Sequence, residues 1–180
     1  MQETVFELQD RKTDKELYSY QQGAIQQIFD KFDSERDDYY LLYQLPTGGG
    51  KTVIFSEMVR QYLKNHNKKV LVTLNNRLND GQLDISDVGL VIIDEAHYNS
   101  FTKLFKFFEN SFVLGVTATP LSSNKDLPMN KNYDELIPGE SIENLIANDF
   151  LARAEVFQYD MGLTSLEIGS NGDYTVKSSA

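Results

Sequence analysis

The chain has 180 residues, 41% of them apolar, and a formal charge of −10 from 17 Lys and Arg against 27 Asp and Glu. That length suits one domain better than two, and the acidity argues against an autonomous nucleic-acid binder, because polyphosphate is repelled by net negative charge. Cysteine is absent and His66 and His97 are the only histidines, which excludes disulfides, thiolate metal sites and an imidazole-built metal centre.

The opening segment, residues 1–17, is charged and polar, unlike a signal peptide. The longest apolar run, 88–93, has six residues, against the roughly 20 a membrane helix needs. A soluble, cytoplasmic domain with no membrane partner is expected. The charge is uneven: residues 39–79 carry six bases and one acid, a stretch best read as a solvated helix face.

In chain order, Leu17, Tyr20, Ala24, Ile28 and Phe32 fall at helical spacing and predict an amphipathic helix over 17–32. An acidic break at 33–38 leads into an aromatic and aliphatic run, 39–45, with the character of a buried strand. Pro46 and Gly48–Gly50 then demand a sharp turn. A second helix is expected over 52–65, with Ile54, Met58 and Tyr62 on one face, and a strand over 69–74. Residues 90–93 are apolar on both faces, as an interior strand of a parallel sheet requires. A helix over 102–110, a strand over 112–117, a helix over 141–150 capped by Ser141 and a last strand over 154–159 complete the pattern. Strand–helix alternation of this kind predicts an α/β fold, a mostly parallel sheet with helices on both faces.

Three motifs carry chemistry. Leu45-Pro46-Thr47-Gly48-Gly49-Gly50-Lys51-Thr52 lies between a strand and a helix. Glycines there let backbone N–H groups turn toward a phosphate, and the start of the next helix favours an anion. Lys51 would neutralise β- and γ-phosphate charge and the Thr52 hydroxyl would ligate Mg²⁺. The usual pattern has a glycine where Leu45 stands. Asp94-Glu95-Ala96-His97 follows the most apolar strand, so two carboxylates emerge at its carboxyl end, where ligands of open α/β sheets bind. Asp94 would hold Mg²⁺, and Glu95 would orient or deprotonate an attacking water. Gly115-Val116-Thr117-Ala118-Thr119-Pro120 ends the next strand, from which Thr117 and Thr119 would hydrogen-bond to the acidic motif.

The order and spacing of these motifs resemble the first RecA-like domain of superfamily 2 DEAD/DEAH-box helicases, in the branch of DNA-repair helicases and restriction-enzyme motor subunits. The resemblance spans about residues 15–160 and implies a P-loop NTPase fold using ATP and Mg²⁺. It assigns phosphate contacts to Gly48, Gly49, Gly50, Lys51 and Thr52, catalysis to Lys51, Asp94 and Glu95, and coupling of hydrolysis to movement to His97, Thr117 and Thr119. It also assigns adenine reading to Gln21 of the pair Tyr20-Gln21, although Tyr18 stands where the family often has arginine. Thr73, Asn75 and Arg77 correspond to a nucleic-acid backbone contact, with DNA favoured over RNA.

Two departures stand out. Lys51 and Asp94 are 43 positions apart, fewer than the family normally has. The resemblance therefore implies a segment missing near Val72/Thr73, by omission or by natural deletion. The thirteen residues 75–87 just suffice for a crossover between parallel strands. The second RecA-like domain, which supplies arginines to the nucleotide site, is also not found, and residues 161–180 read as a linker or a lead into it. The expected domain is thus 1–160. The expected function is the ATP-binding part of a nucleic-acid-dependent ATPase, helicase or translocase that binds MgATP but hydrolyses it poorly alone. The alternative is a degenerate nucleotide-binding module that docks a protein partner without hydrolysis.

Overall fold

The apolar runs pair as strands β1 (Tyr40–Gln44), β2 (Lys69–Thr73), β3 (Val88–Asp94), β4 (Phe112–Thr117) and β5 (Glu135–Pro138). All neighbours are parallel and the sheet order is β2-β3-β4-β1-β5. The structure, a computed structural model, describes residues 16–34, 38–73, 87–98, 105, 108, 110–122, 126 and 128–157. Among the described residues, helix α1 (Ser19–Ser34) precedes β1, α2 (Lys51–Asn65) lies between β1 and β2, and α3 (Ile142–Ala147) follows β5.

Period-two alternation along the strands sorts the core into two layers. Leu41, Tyr43 and Leu45 of the β1 region, Leu90 and Ile92 of β3 and Leu114 and Val116 of β4 face Ala24, Ile25 and Ile28 of α1 and Ile54, Met58 and Tyr62 of α2. Fully burying one such isoleucine or leucine stabilises the fold by about 1.5–3 kcal/mol. On the opposite face Leu42, Val91, Ile93 and Val113 pack with Phe105, Phe108, Met129 and Tyr133. β3 is buried from Val88 through Ile93, as its continuous apolar sequence requires of an interior strand.

The first two helices and first four strands fall within two residues of their predicted bounds, and Ser141 caps α3 by accepting the Asn144 N–H at 3.1 Å. Three expectations change. β5 had no counterpart in the sequence reading. The helix predicted over 141–150 stops at Ala147, because Asn148 and Asp149 leave helical geometry, the latter at φ 59°. The strand expected over 154–159 is not formed in its described part, 154–157, where Val156 and Phe157 are exposed and pair with none of the described strands. The predicted helix over 102–110 lies largely outside the described residues, as do Asn75, Arg77 and the segment 161–180.

The chain leaves β1 toward the β2 edge and later leaves β4 toward the β5 edge. The carboxyl ends of β1 and β4 therefore meet where the direction of winding reverses, the crevice in which open α/β sheets hold ligands. Gln44 sits opposite Thr117, and Asp94 opposite Val116. Three neighbouring strands thus end level with one another, and each runs into one of the three motifs.

Candidate functional site

After β1 the chain turns at Pro46, whose carbonyl accepts the Gly49 N–H at 3.0 Å. Gly48 and Gly50 adopt φ values of 82° and 83°, the left-handed region open to glycine without a Cβ penalty. A Cβ on Gly50 would stand 2.5 Å from Nε2 of Gln21, and one on Gly48 would stand 2.9 Å from a Leu151 methyl. The loop is thus glycine both by conformation and by space. Gly50 is also the N-cap of α2 and offers no side-chain acceptor to the first amides of that helix. Those amides keep their demand for an acceptor, which is what an anion site needs. Lys51 is half-buried and its Nζ donates to the Leu45 carbonyl at 3.3 Å, while Thr52 is exposed one residue on.

At the end of β3 the chain breaks into a tight turn. Glu95 has φ 50°, unusual for a residue with a long side chain. Its N–H donates to the Asp94 carboxylate at 2.9 Å, and its carbonyl accepts from Tyr98 N–H at 3.1 Å. Buried Ala96 anchors the turn from Ala96 to Tyr98 to the second core layer. Both carboxylates are part-exposed.

Thr117 is fully buried at the end of β4. Its hydroxyl donates to the Thr119 carbonyl at 3.0 Å and accepts the Thr119 N–H at 3.1 Å. His97 Nδ1 lies 3.0 Å from the same hydroxyl oxygen. The same nitrogen lies 3.3 Å from Oε2 of Glu95, so His97 stands between the acidic turn and the threonine turn. The sequence placed His97, Thr117 and Thr119 in one group, and the structure brings Thr117 into contact with the other two.

Gln21 is buried against the phosphate loop. As the third residue of α1 its Oε1 accepts the Tyr18 N–H at 3.0 Å, one half of a capping box. Its Nε2 makes a long 3.4 Å contact to the Tyr20 hydroxyl, which donates to the Gly49 carbonyl at 2.7 Å. Burial raises the Tyr20 pKa above its usual value of 10.0, keeping the hydroxyl a neutral donor. Beside them Tyr18, Tyr20 and Phe150 form a ring cluster, with Phe150 centred 4.7 Å from Tyr18 and 5.0 Å from Tyr20. Phe150 and Leu151 were missed in the sequence. The signal available was only an aromatic–aliphatic pair at the end of the predicted helix 141–150, about one hundred residues from the loop it touches. Thr73, at the end of edge strand β2, is buried and on a strand separated from β1 by β3 and β4. A cavity of about 430 Å³ on the sheet, floored by Leu42 and walled by Pro120, Met129 and Tyr133, contains none of the phosphate-loop or acidic-turn residues.

The family described as type III restriction enzyme, res subunit, matches residues 14–83 and 73–122, more than half of the chain. The chain belongs to that family. Its fold and family together make it a first RecA-like domain of the superfamily 2 helicase type. The UvsW helicase of bacteriophage T4 is similar in fold, with a TM-score of 0.50 and 17% identity over 69% of this chain and 60% of that one. The helicase domain of Hef from Pyrococcus furiosus gives a TM-score of 0.49 at 18% identity, over 66% of this chain and 37% of that one. A 51.5 kDa protein of a Lactococcus phage is 28% identical over 170 residues, covering 76% of this chain and 36% of the phage protein. The chain therefore spans about a third of that relative's length. Among the described residues no helix is long and apolar enough to cross a membrane.

Proposed function

We propose that this domain binds ATP with Mg²⁺ and forms one half of the hydrolytic site of a nucleic-acid-dependent motor acting on DNA. One observation carries the reading: three adjacent parallel strands end together in a glycine loop with two left-handed glycines, a paired carboxylate turn and a buried threonine turn. The donor set fits the cofactor. The cradle at Gly48 and Gly50 is space that a Cβ would fill, and the uncapped amides of α2 lead directly into Lys51 and Thr52.

Bound Mg²⁺ would neutralise charge on the β- and γ-phosphates. Its protein ligands would be the Thr52 hydroxyl and Asp94, few enough that water and phosphate complete the shell. Lys51 would hold phosphate oxygens, and Glu95 would accept a proton from, or orient, the attacking water. His97 and Thr117 would report the state of Glu95 to the end of β4. Gln21, beside the Tyr18 and Phe150 rings, would lie at the base end. DNA as the substrate rests on likeness to the restriction-enzyme family, and Thr73, Asn75 and Arg77 remain the proposed backbone contacts.

The family match in two pieces that overlap over residues 73–83 supports a segment missing near Val72/Thr73, by omission or by natural deletion. Transition-state arginines come from a second RecA-like domain in such motors. Without one, hydrolysis by this domain alone should be slower by about 10³–10⁵.

Calorimetric titration with MgATP tests the reading. The 180-residue chain should bind, and Lys51→Ala should weaken binding about 10- to 100-fold, the loss of a charge-assisted contact of about 1.5–3 kcal/mol. Equal affinity in the two would refute the phosphate assignment. Fast DNA-stimulated hydrolysis by the chain alone would refute the half-site.

A further inference from the structure

The phosphate loop is touched on two sides by groups that none of the three motifs contains. On one side the Tyr20 hydroxyl donates to the Gly49 carbonyl at 2.7 Å. On the other, Leu151 stands so close to Gly48 that a Cβ there would approach its methyl to 2.9 Å. The end of α3 takes part in both supports. The amides of Phe150 and Leu151 both donate to the Leu145 carbonyl, at 2.9 and 3.0 Å, closing the end of α3 through the left-handed Asp149. That closure delivers Leu151 to Gly48 and sets the Phe150 ring against Tyr20, tilted at 52° with centroids 5.0 Å apart. Tyr20 is thereby held by a ring on one side while its hydroxyl holds the loop.

Gln21 fits the same arrangement. Its carbonyl is engaged in starting α1, and its amide faces the Tyr20 hydroxyl and Gly50. A chain of hydrogen bonds runs from Tyr18 N–H through Gln21 and Tyr20 to the Gly49 carbonyl, and such chains strengthen one another. A glycine triplet has the largest conformational entropy to lose on ordering, so an anion must either order the loop on arrival or find it already ordered. External bracing lowers that cost.

We propose that Tyr20 and Leu151, with Phe150 behind Tyr20, are positioning residues that hold the phosphate loop in its anion-ready shape, acting on phosphate affinity and not on choice of base. The proposal rests on the ATP reading above for the identity of the ligand. The bracing itself concerns the free chain.

The test separates the two. Affinities of Tyr20→Phe and Leu151→Ala are measured by calorimetry for MgATP, MgGTP and magnesium tripolyphosphate, which has neither base nor sugar. Hydrogen exchange at the Gly49 and Gly50 amides is followed in the ligand-free proteins. Tyr20→Phe removes one oxygen and keeps the tilted ring contact with Phe150, so the fold should survive. The expected result is a loss of about fivefold for all three ligands, the worth of one hydrogen bond, an unchanged ATP-to-GTP ratio, and faster exchange at the two glycines. Leu151→Ala should act in the same direction. A loss confined to ATP, with tripolyphosphate affinity and glycine exchange unchanged, would overturn the proposal in favour of base reading. If the parent chain binds none of the three, the ATP reading fails, and the exchange rates alone then decide whether the bracing exists.

Discussion

The two walls of the site meet their backbone demands in opposite ways. The phosphate-loop wall uses glycine at both of its left-handed positions, so its shape carries no Cβ penalty. The acidic wall places Glu95 at φ 50°, where glycine would also be the comfortable residue. A backbone N–H can be presented without a side chain, but a proton acceptor cannot. Where chemistry needs only amides the chain relaxes, and where it needs a carboxylate at a fixed point it keeps the strain. Left-handed geometry in a residue of this kind costs about 1 kcal/mol or somewhat more. The Asp94 carboxylate accepting the Glu95 N–H and the Tyr98 N–H on the Glu95 carbonyl hold the turn against it.

The sharpest way to break the comparison is to put a side chain on the relaxed wall. Gly50→Ala adds a methyl at φ 83° and aims it at the Gln21 amide 2.5 Å away, inside the buried start of α1. Strain and overpacking together should destabilise the fold by about 2–4 kcal/mol. Urea unfolding should show a lowered midpoint, and affinity for magnesium tripolyphosphate should fall with it. A neutral result would mean that the loop is not held in the geometry described.

The reverse change on the strained wall should have the opposite sign. Glu95→Gly removes the Cβ penalty and should raise stability by about 0.5–1 kcal/mol while abolishing hydrolysis in any assembly that restores the second domain. Glycine's greater freedom in the unfolded chain opposes the gain and keeps it small. A drop in the urea midpoint would show that the Glu95 side chain, through His97, contributes more than its backbone costs.

The relaxed wall was legible in the sequence and the strained one only in its residue types. Glycines followed by Lys51 announce both the turn and its ligand, whereas nothing in Asp94-Glu95-Ala96-His97 reveals a positive φ, since glutamate is not a turn-forming residue. Strands β1, β3 and β4 could be read because each is a buried apolar run, and β2 because Val70, Leu71 and Val72 are consecutive β-branched or aliphatic residues, although Thr73 alone of that strand is buried. β5 could not, because Glu135-Leu136-Ile137-Pro138 is a four-residue edge strand of which Ile137 alone is buried. Its terminal proline is tolerated on an edge but argues against a strand when read alone. Val156 and Phe157 err in the other direction: apolar character predicted a strand, yet both are exposed and pair with none of the described strands. Phe150 and Leu151 matter because the closed end of α3 lands against Tyr20 and Gly48, a tertiary fact that no local pattern encodes.

A tie at the amino ends of β1 and β5, opposite the site, supplies the reference against which both walls are judged. Glu135 accepts from the Tyr39 hydroxyl at 2.6 Å and pairs with Lys31 at 2.7 Å. The Lys31 contact, then the Tyr39 hydroxyl, hold its carboxyl below the usual carboxylate range, with burial opposing. A depressed folded pKa contributes stability above the unfolded value and loses it as pH falls through the folded one. Since both side chains of the ion pair are about one-third exposed, solvent screening limits the contribution to less than about 1 kcal/mol. Glu135→Gln keeps an acceptor for Tyr39 and removes the charge. It should lower the melting temperature slightly at neutral pH, and the gap from the parent should close on acidification below the carboxylate range. Magnesium tripolyphosphate affinity should not move, because the amino and carboxyl ends of the strands share no contact through this pair. A gap that persists at low pH would assign the effect to packing around Tyr39 instead of charge, and a change in tripolyphosphate affinity would show that the carboxyl-end walls are not independent of the sheet's far end.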